Sequence, residues 1–459
     1  MKKILIVVLA VIILAGGTGG FYYAKVYANP YNRTLKAIQK STEATSGDVT
    51  CKMKFTLVPE KYEEVTGMAL TKDQEDMMNY ANVLLEKTIF ELNYKQQLNK
   101  KNPIDSKLQY SLSWLYDNEK LLDIMLGMDE EKFELLMPSL MEKTIFMNKT
   151  DIYDQMGLDM KDFDFEKYFS IIKDNEKLFN KVDQEEYYKI ILDSFEDSIT
   201  KGDSVSVALA NGKKVKCREY TIEMNYEDMV KMMEDVKKQM EDDDALKEYI
   251  RVVALEVLQE LNDSKDYEAF NLEKEEVEDA IDYLEDEDDF DDAYEEMMAS
   301  FDDALVELDT MPESMDLDYT ITYALDRKNN FRGMKMKMDS GFFAVDYDYV
   351  MNSINEKIDF VEYVDNEAIN AMDLMEKDED ELYELLEDIV IDAGDKIIEN
   401  KALDSMLTDM KDNSELLPSE YSSMLGSYID EFQGNKEEFI ELMIEQMLYS
   451  IQNPYGFDY

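Results

Sequence analysis

Between Leu317 and Met351 the chain alternates apolar and polar residues through three consecutive stretches, a pattern that a sheet satisfies and a helix does not. Leu317, Tyr319, Ile321, Tyr323 and Leu325 alternate with Asp318, Thr320, Thr322 and Ala324. After a polar turn at Asp326-Arg327-Lys328-Asn329-Asn330, Met334, Met336 and Met338 alternate with Lys335 and Lys337. After Asp339-Ser340-Gly341, Phe343, Val345, Tyr347, Tyr349 and Met351 alternate with Ala344, Asp346, Asp348 and Val350. Successive strand side chains point to opposite faces, so this period predicts three strands with one buried, apolar face and one wet face. Helices, a second sheet or a ligand must cover the apolar face, and which of them does so decides what the chain is for.

The same period recurs earlier. Val49, Cys51, Met53, Phe55 and Leu57 form a first strand; Phe90, Leu92 and Tyr94, then Leu108, Tyr110, Leu112, Trp114 and Tyr116, continue a meander. Leu121 to Met128, Phe133 to Met137 and Thr144 to Met147 read as further short strands. Val205, Val207 and Leu209 lead into Asn211-Gly212, and Val215, Cys217, Tyr220, Ile222 and Met224 lead out, which predicts a hairpin on a type I′ turn. The phase slip between Cys217 and Tyr220 predicts a bulge at Arg218-Glu219. Helical spacing fills residues 60–86, 163–200, 226–309 and 366–459, and the apolar stripe slips at Asp286 to Asp289, which predicts a break there. Strands dispersed among helices, with few Pro and Gly, predict one interwoven α+β module over residues 29–459: antiparallel meanders and hairpins packed against several helices.

The address is written in the first 28 residues. Met1-Lys2-Lys3 precedes an uncharged run from Ile4 to Ala24, and about 20 such residues span a bilayer. The lysines stay in the cytoplasm, so the chain after Lys25 is extracytoplasmic and the protein sits in the cell membrane as a single-pass chain. Length favours an uncleaved anchor over a signal peptide cut before Asn29.

The chain carries 105 Asp and Glu against 48 Lys and Arg, a net charge of −57, which repels nucleic acid and excludes that class of partner. There is no His, which removes the usual triads, the usual zinc sites and the commonest general base. No phosphate-cradling Gly-rich loop, nucleophile elbow or Cys-x-x-Cys is present. The acid run Glu285 to Asp292 lacks the Gly and ligand spacing of a calcium loop and reads as a solvated helix face. No catalytic residue, metal or cofactor is expected. Cys51 and Cys217 lie on the apolar phase of two predicted strands. They form a disulfide if those strands are neighbours, and are two buried thiols otherwise.

Asn211-Gly212-Lys213-Lys214-Val215-Lys216-Cys217-Arg218-Glu219-Tyr220-Thr221-Ile222, running into a helix, resembles an element of membrane-tethered exported proteins with a LolA-like lipoprotein-carrier fold. So does Tyr319-Thr320-Ile321-Thr322-Tyr323-Ala324-Leu325-Asp326 with the turn after it. The resemblance implies a curved antiparallel sheet packed against helices, with lipid or acyl chains held between the two.

The expected function is therefore a membrane-anchored, non-enzymatic binding module for a lipid or other apolar ligand. The alternative is a structural or scaffolding surface protein whose sheet is covered by its own helices. Leu108, Tyr110, Leu112, Tyr319, Ile321, Tyr323, Met336, Val345 and Tyr347 are expected on one face, lining the pocket in the first case and close-packed in the second.

Overall fold

In a computed structural model, the described residues are 33–34, 36–37, 40–41, 44–99, 106–155, 165–183, 186–187, 189–190, 198–224, 226–270, 272–309, 318–339, 341–361, 368–377 and 379–452. The expected anchor lies outside them. Among them no helix is long and apolar enough to cross a membrane.

The strands are β1 (Ser46–Leu57), β2 (Thr88–Gln97), β3 (Lys107–Tyr116), β4 (Glu119–Met128), β5 (Lys132–Leu136), β6 (Ile145–Asn148), β7 (Thr200–Ala208), β8 (Lys214–Met224), β9 (Asp318–Asp326), β10 (Phe331–Asp339), β11 (Phe343–Ile354) and β12 (Ile369–Asn370). They form an open sheet in the order β12-β6-β5-β4-β3-β2-β1-β11-β10-β9-β8-β7, antiparallel except for the short β12–β6 pair. The α+β reading and its antiparallel meanders hold. The chain divides into two compact units, each assembled from separated segments: 1–45, 98–105 and 149–334 in one, 46–97, 106–148 and 335–459 in the other.

The first unit has a helical core. Helix Asp244–Ser264 runs through its middle, burying Tyr249, Ile250, Val253, Ala254, Leu258 and Leu261 against Val277, Ile281, Leu284, Phe290 and Tyr294. Asp243 caps this helix by accepting from the Leu246 amide at 2.9 Å, and Lys265 ends it at a positive φ of 62°. Helix Lys274–Glu285 stops at Asp286, whose ψ of 116° is extended, and helix Glu287–Asp309 starts afresh. The break falls where the apolar stripe slips, and the Asp286 carboxylate accepts from the Asp288 amide at 2.9 Å. The run of acids there is a helix start and its exposed face.

The β7–β8 hairpin of this unit turns differently from the expected type I′ geometry. Only Gly212 takes a positive φ, 78°. Leu209 closes the loop with both its amide, to the Lys213 carbonyl, and its carbonyl, from the Gly212 amide. This is a three-residue loop with glycine in the left-handed position. The bulge also moves: β7 spends Gly202 and Asp203 opposite Glu219 of β8, while β8 and β9 stay in unbroken register from Cys217↔Asp326 to Met224↔Tyr319. β8 itself carries no extra residue, so Cys217 and Tyr220 point to opposite faces; the extra residue sits on β7, where Gly202 lies close to Glu219. Tyr220 consequently stacks on Tyr323 (ring centroids 5.6 Å apart) and both pack, with Leu325, against Ala37.

In the second unit, β1 is central. Met53 pairs with Tyr347 on one side and Phe90 on the other, and Cys51 with Tyr349 and Leu92. The register continues through Leu92↔Leu112 and Tyr94↔Tyr110 to Leu112↔Ile124 and Tyr110↔Leu126, so one face stays apolar from β11 to β4. One end of that face is closed by helices. Asn82 of helix Lys72–Lys87 bonds both the amide and the carbonyl of Leu57, standing in for a strand beyond the reach of β2. Tyr116 is fully buried, and its hydroxyl donates to Asp409 of helix Lys401–Asp412 at 2.8 Å.

Candidate functional site

At the far end from Tyr116, the same apolar face is open. Tyr110 is 43% exposed, Leu112 45%, Leu126 51% and Phe133 38%, four large side chains in one patch on adjacent strands. Leu108, Tyr110, Leu126, Met128, Phe133 and Met147 line a groove of about 390 Å³ whose wall is almost wholly apolar. That volume lies within the roughly 300–1,000 Å³ of small-molecule sites. Ala371, at the start of helix Ala371–Glu376, closes one side.

The groove lies where β4, β5 and β6 pair. β4 offers ten residues, but β5 covers only Met125 to Met128 of it, and β6 covers only Lys132 to Leu135 of β5. Leu126, Met128, Phe133, Leu135, Ile145 and Met147 therefore form a shallow shelf. On the opposite face of β5 and β6, Lys132 bonds Glu134 at 2.8 Å and lies over the Phe146 ring. Tyr94 packs on Tyr110 with ring centroids 4.7 Å apart; burial, with Tyr110 beside it, pushes the Tyr94 hydroxyl above its ordinary pKa, so it stays neutral.

The opposite, polar face of β3 and β4 is the covered one. Gln109, Ser113 and Asp123 are buried there. The Gln109 amide clasps Val361, donating to its carbonyl and accepting from its amide, each at 3.0 Å. The Asp123 carboxylate accepts from the Ser139 amide at 2.9 Å and from Lys120 at 2.7 Å. Two connecting segments are thus tied to polar side chains, where the alternation had assigned solvent to this face. Hydrogen bonding to a buried polar group offsets its desolvation, so a polar face can be buried at little net cost.

Of the residues expected on one face, Leu108, Tyr110, Leu112, Val345 and Tyr347 share it through the β11–β1–β2–β3 register. Leu108 and Tyr110 line the groove, whereas Val345, 1% exposed, is packed away from any opening. Met336 is half-buried in β10. Ile321 and Tyr323 belong to the first unit and pack into the Ala37 cluster; Tyr319 shares their strand, with its side chain outside the described residues. Six apolar groove residues on β4–β6 (Leu126, Met128, Phe133, Leu135, Ile145 and Met147) were readable as strand positions but not as a site. Nothing local marks Ala371.

Of the two readings of the cysteines, a bridge or two thiols, the structure has the thiols. Both cysteines are free. The strands flanking Cys51 are β2 and β11, and those flanking Cys217 are β7 and β9, so neither strand neighbours the other as a bridge would need. Burial, then the Asp348 carboxylate, raises the Cys51 thiol, and burial, then Asp326, pushes Cys217 up to about 11. The thiolate is the nucleophile, so native Cys217 is expected to resist iodoacetamide at pH 8 while the denatured chain takes two adducts. Recovering a chain lighter by two hydrogens, with no adducts, would show a bridge instead. Among the described residues no group of three or more Cys, Asp or Glu is placed to hold a metal ion.

Compared with protein-family models and with curated proteins, the chain matches none.

Proposed function

We propose that the chain is a membrane-tethered, non-enzymatic binding module that takes a lipid or other apolar ligand in the groove on β3–β6. The observation that carries this reading is the open apolar shelf of Tyr110, Leu126 and Phe133. A soluble fold normally hides a patch of that kind, and an exposed one marks an interaction site. The groove offers almost no polar atoms, so it suits the apolar part of a ligand, leaving a headgroup in water. A scaffold with no ligand has no use for such a shelf.

The test is native mass spectrometry of the detergent-extracted full chain, followed by titration of the delipidated protein with a fatty acid. Trp114, the only tryptophan, lies on the same face as Tyr110, four residues along β3, so quenching of its emission by a brominated fatty acid reports a ligand on that face. A co-purifying lipid and a saturable Trp114 response are expected. Bare protein with no response to fatty acid would return the molecule to the scaffold class.

A further inference from the structure

The first unit carries a basic end that the rest of the chain does not predict. In the unbroken β8–β9 register, Cys217 lies opposite Asp326, which puts the 209–213 loop and the 326–330 turn at the same end of the sheet. Lys213, Lys214 and Lys216 stand at the first, and Arg327 and Lys328 at the second, all exposed. None of these five side chains takes an ion pair among the described residues.

The helical residues after the expected anchor join them. Arg33 donates to the Tyr220 hydroxyl at 2.7 Å, to Asn329 at 2.9 Å and to the Asp326 carbonyl at 3.2 Å, and Lys40 donates to the Lys328 carbonyl. The stretches 33–42, 204–218 and 327–334 contain no Asp or Glu at all, in a chain with 105 of them. Asp326, which opens the 326–330 turn, is buried and paired with Arg332.

We infer that this end is a membrane-facing surface that binds anionic lipid headgroups and sets the orientation of the first unit on the bilayer. The inference rests on the membrane tether proposed above. Fully extended, the chain from Lys25 to Arg33 spans at most about 29 Å, so the unit is held close to the headgroups. Its net charge is repelled by an anionic surface, while clustered lysines and arginines beside a membrane-spanning segment are drawn to one. Opposite forces on the two ends of one body produce a torque, and the basic end turns down. Lipid is favoured over a soluble polyanion because the tether delivers these residues to the lipid surface.

The experiment uses the full chain in nanodiscs of phosphatidylglycerol or of phosphatidylcholine, with amine acetylation rates read by peptide mass spectrometry. Lys213, Lys214, Lys216 and Lys328 are expected to react about threefold or more slowly on the anionic discs, while the exposed Lys177 does not change. Salt near 1 M should erase the difference, because it cuts the screening length to about 3 Å. In the combined variant Lys213→Glu, Lys214→Glu, Lys216→Glu, protection of Lys328 should be lost while the chain stays on the discs.

Equal rates on the two lipids, from disc-bound protein, overturn the orientation alone. A chain that elutes without the discs overturns the tether and the orientation with it. Slowing by soluble polyphosphate, with none from phosphatidylglycerol, assigns the surface to a polyanion and overturns the lipid assignment.

Discussion

Replacing Asp326 with alanine is expected to destabilise the first unit by about 3–5 kcal/mol, the cost of leaving a buried charge without its partner. The Asp326 and Arg332 side chains are only 9% and 10% exposed and meet at 3.1 Å. The same carboxylate accepts from the Lys328 amide at 2.7 Å, the Asn330 amide at 3.0 Å and the Asn330 side chain at 2.9 Å. It is the hub of the turn that Arg33 grips. Burial alone would raise its pKa, but the bonds from Asn330, Arg332 and Lys328 outweigh burial and hold it below the ordinary carboxylate value.

The sign of the pH dependence follows. A carboxyl depressed in the folded state contributes stability that is fully present above the unfolded value of about 3.9 and is lost as pH falls through the folded pKa. Parent and variant should therefore differ most at neutral pH and converge in acid. The measurement is urea unfolding, with hydrogen exchange of the β9–β10 amides to assign the loss to this unit. A variant as stable as the parent at pH 7 would mean that the turn does not depend on its carboxylate.

Leu126→Glu is expected to remove the ligand and spare the fold. Leu126 is half exposed, so a polar replacement there should change stability by no more than about 0.5 kcal/mol. Against a bound acyl chain it loses the apolar contact and strands a carboxylate. Together these cost about 2–4 kcal/mol, a drop in affinity of roughly 30- to 1,000-fold. Val345→Phe on the same face should behave oppositely. Val345 is 1% exposed, so overpacking should cost about 1–3 kcal/mol of stability without touching the groove directly. If Leu126→Glu protein still carries lipid and still answers fatty acid through Trp114, the ligand lies elsewhere.

Those two positions also mark where sequence reading stops. The alternation around Val49, Leu112, Ile321 and Val345 placed strands correctly because period two is a local property. It says which face is apolar. It does not say whether that face is covered, because coverage depends on which helices and loops pack over it, and those come from segments distant in sequence. Gln109 and Asp123 make the point from the other side. They looked wet by pattern and are buried, since their partners, Val361 and Ser139, are backbone and hydroxyl groups that leave no mark on periodicity. The slip at Cys217 predicted a bulge at Arg218-Glu219; the irregularity does fall opposite Glu219, but the extra residue belongs to β7. The helix break at Asp286 was legible because both the stripe and the cap are local.

The pairing of β1 with β11 joins residues synthesised far apart. Asn352 reaches back 304 positions to hydrogen-bond Asp48. At roughly 5–20 residues per second, β1 waits about 15–60 s for its partner to be made. Through that interval Met53 and Phe55 lack one side of their sheet, and strand edges of this kind are where nascent chains aggregate. Substitutions that lower β propensity at Phe55 or Val49 should therefore show first as lost yield in the cell, and only later as a lower melting temperature of whatever folds.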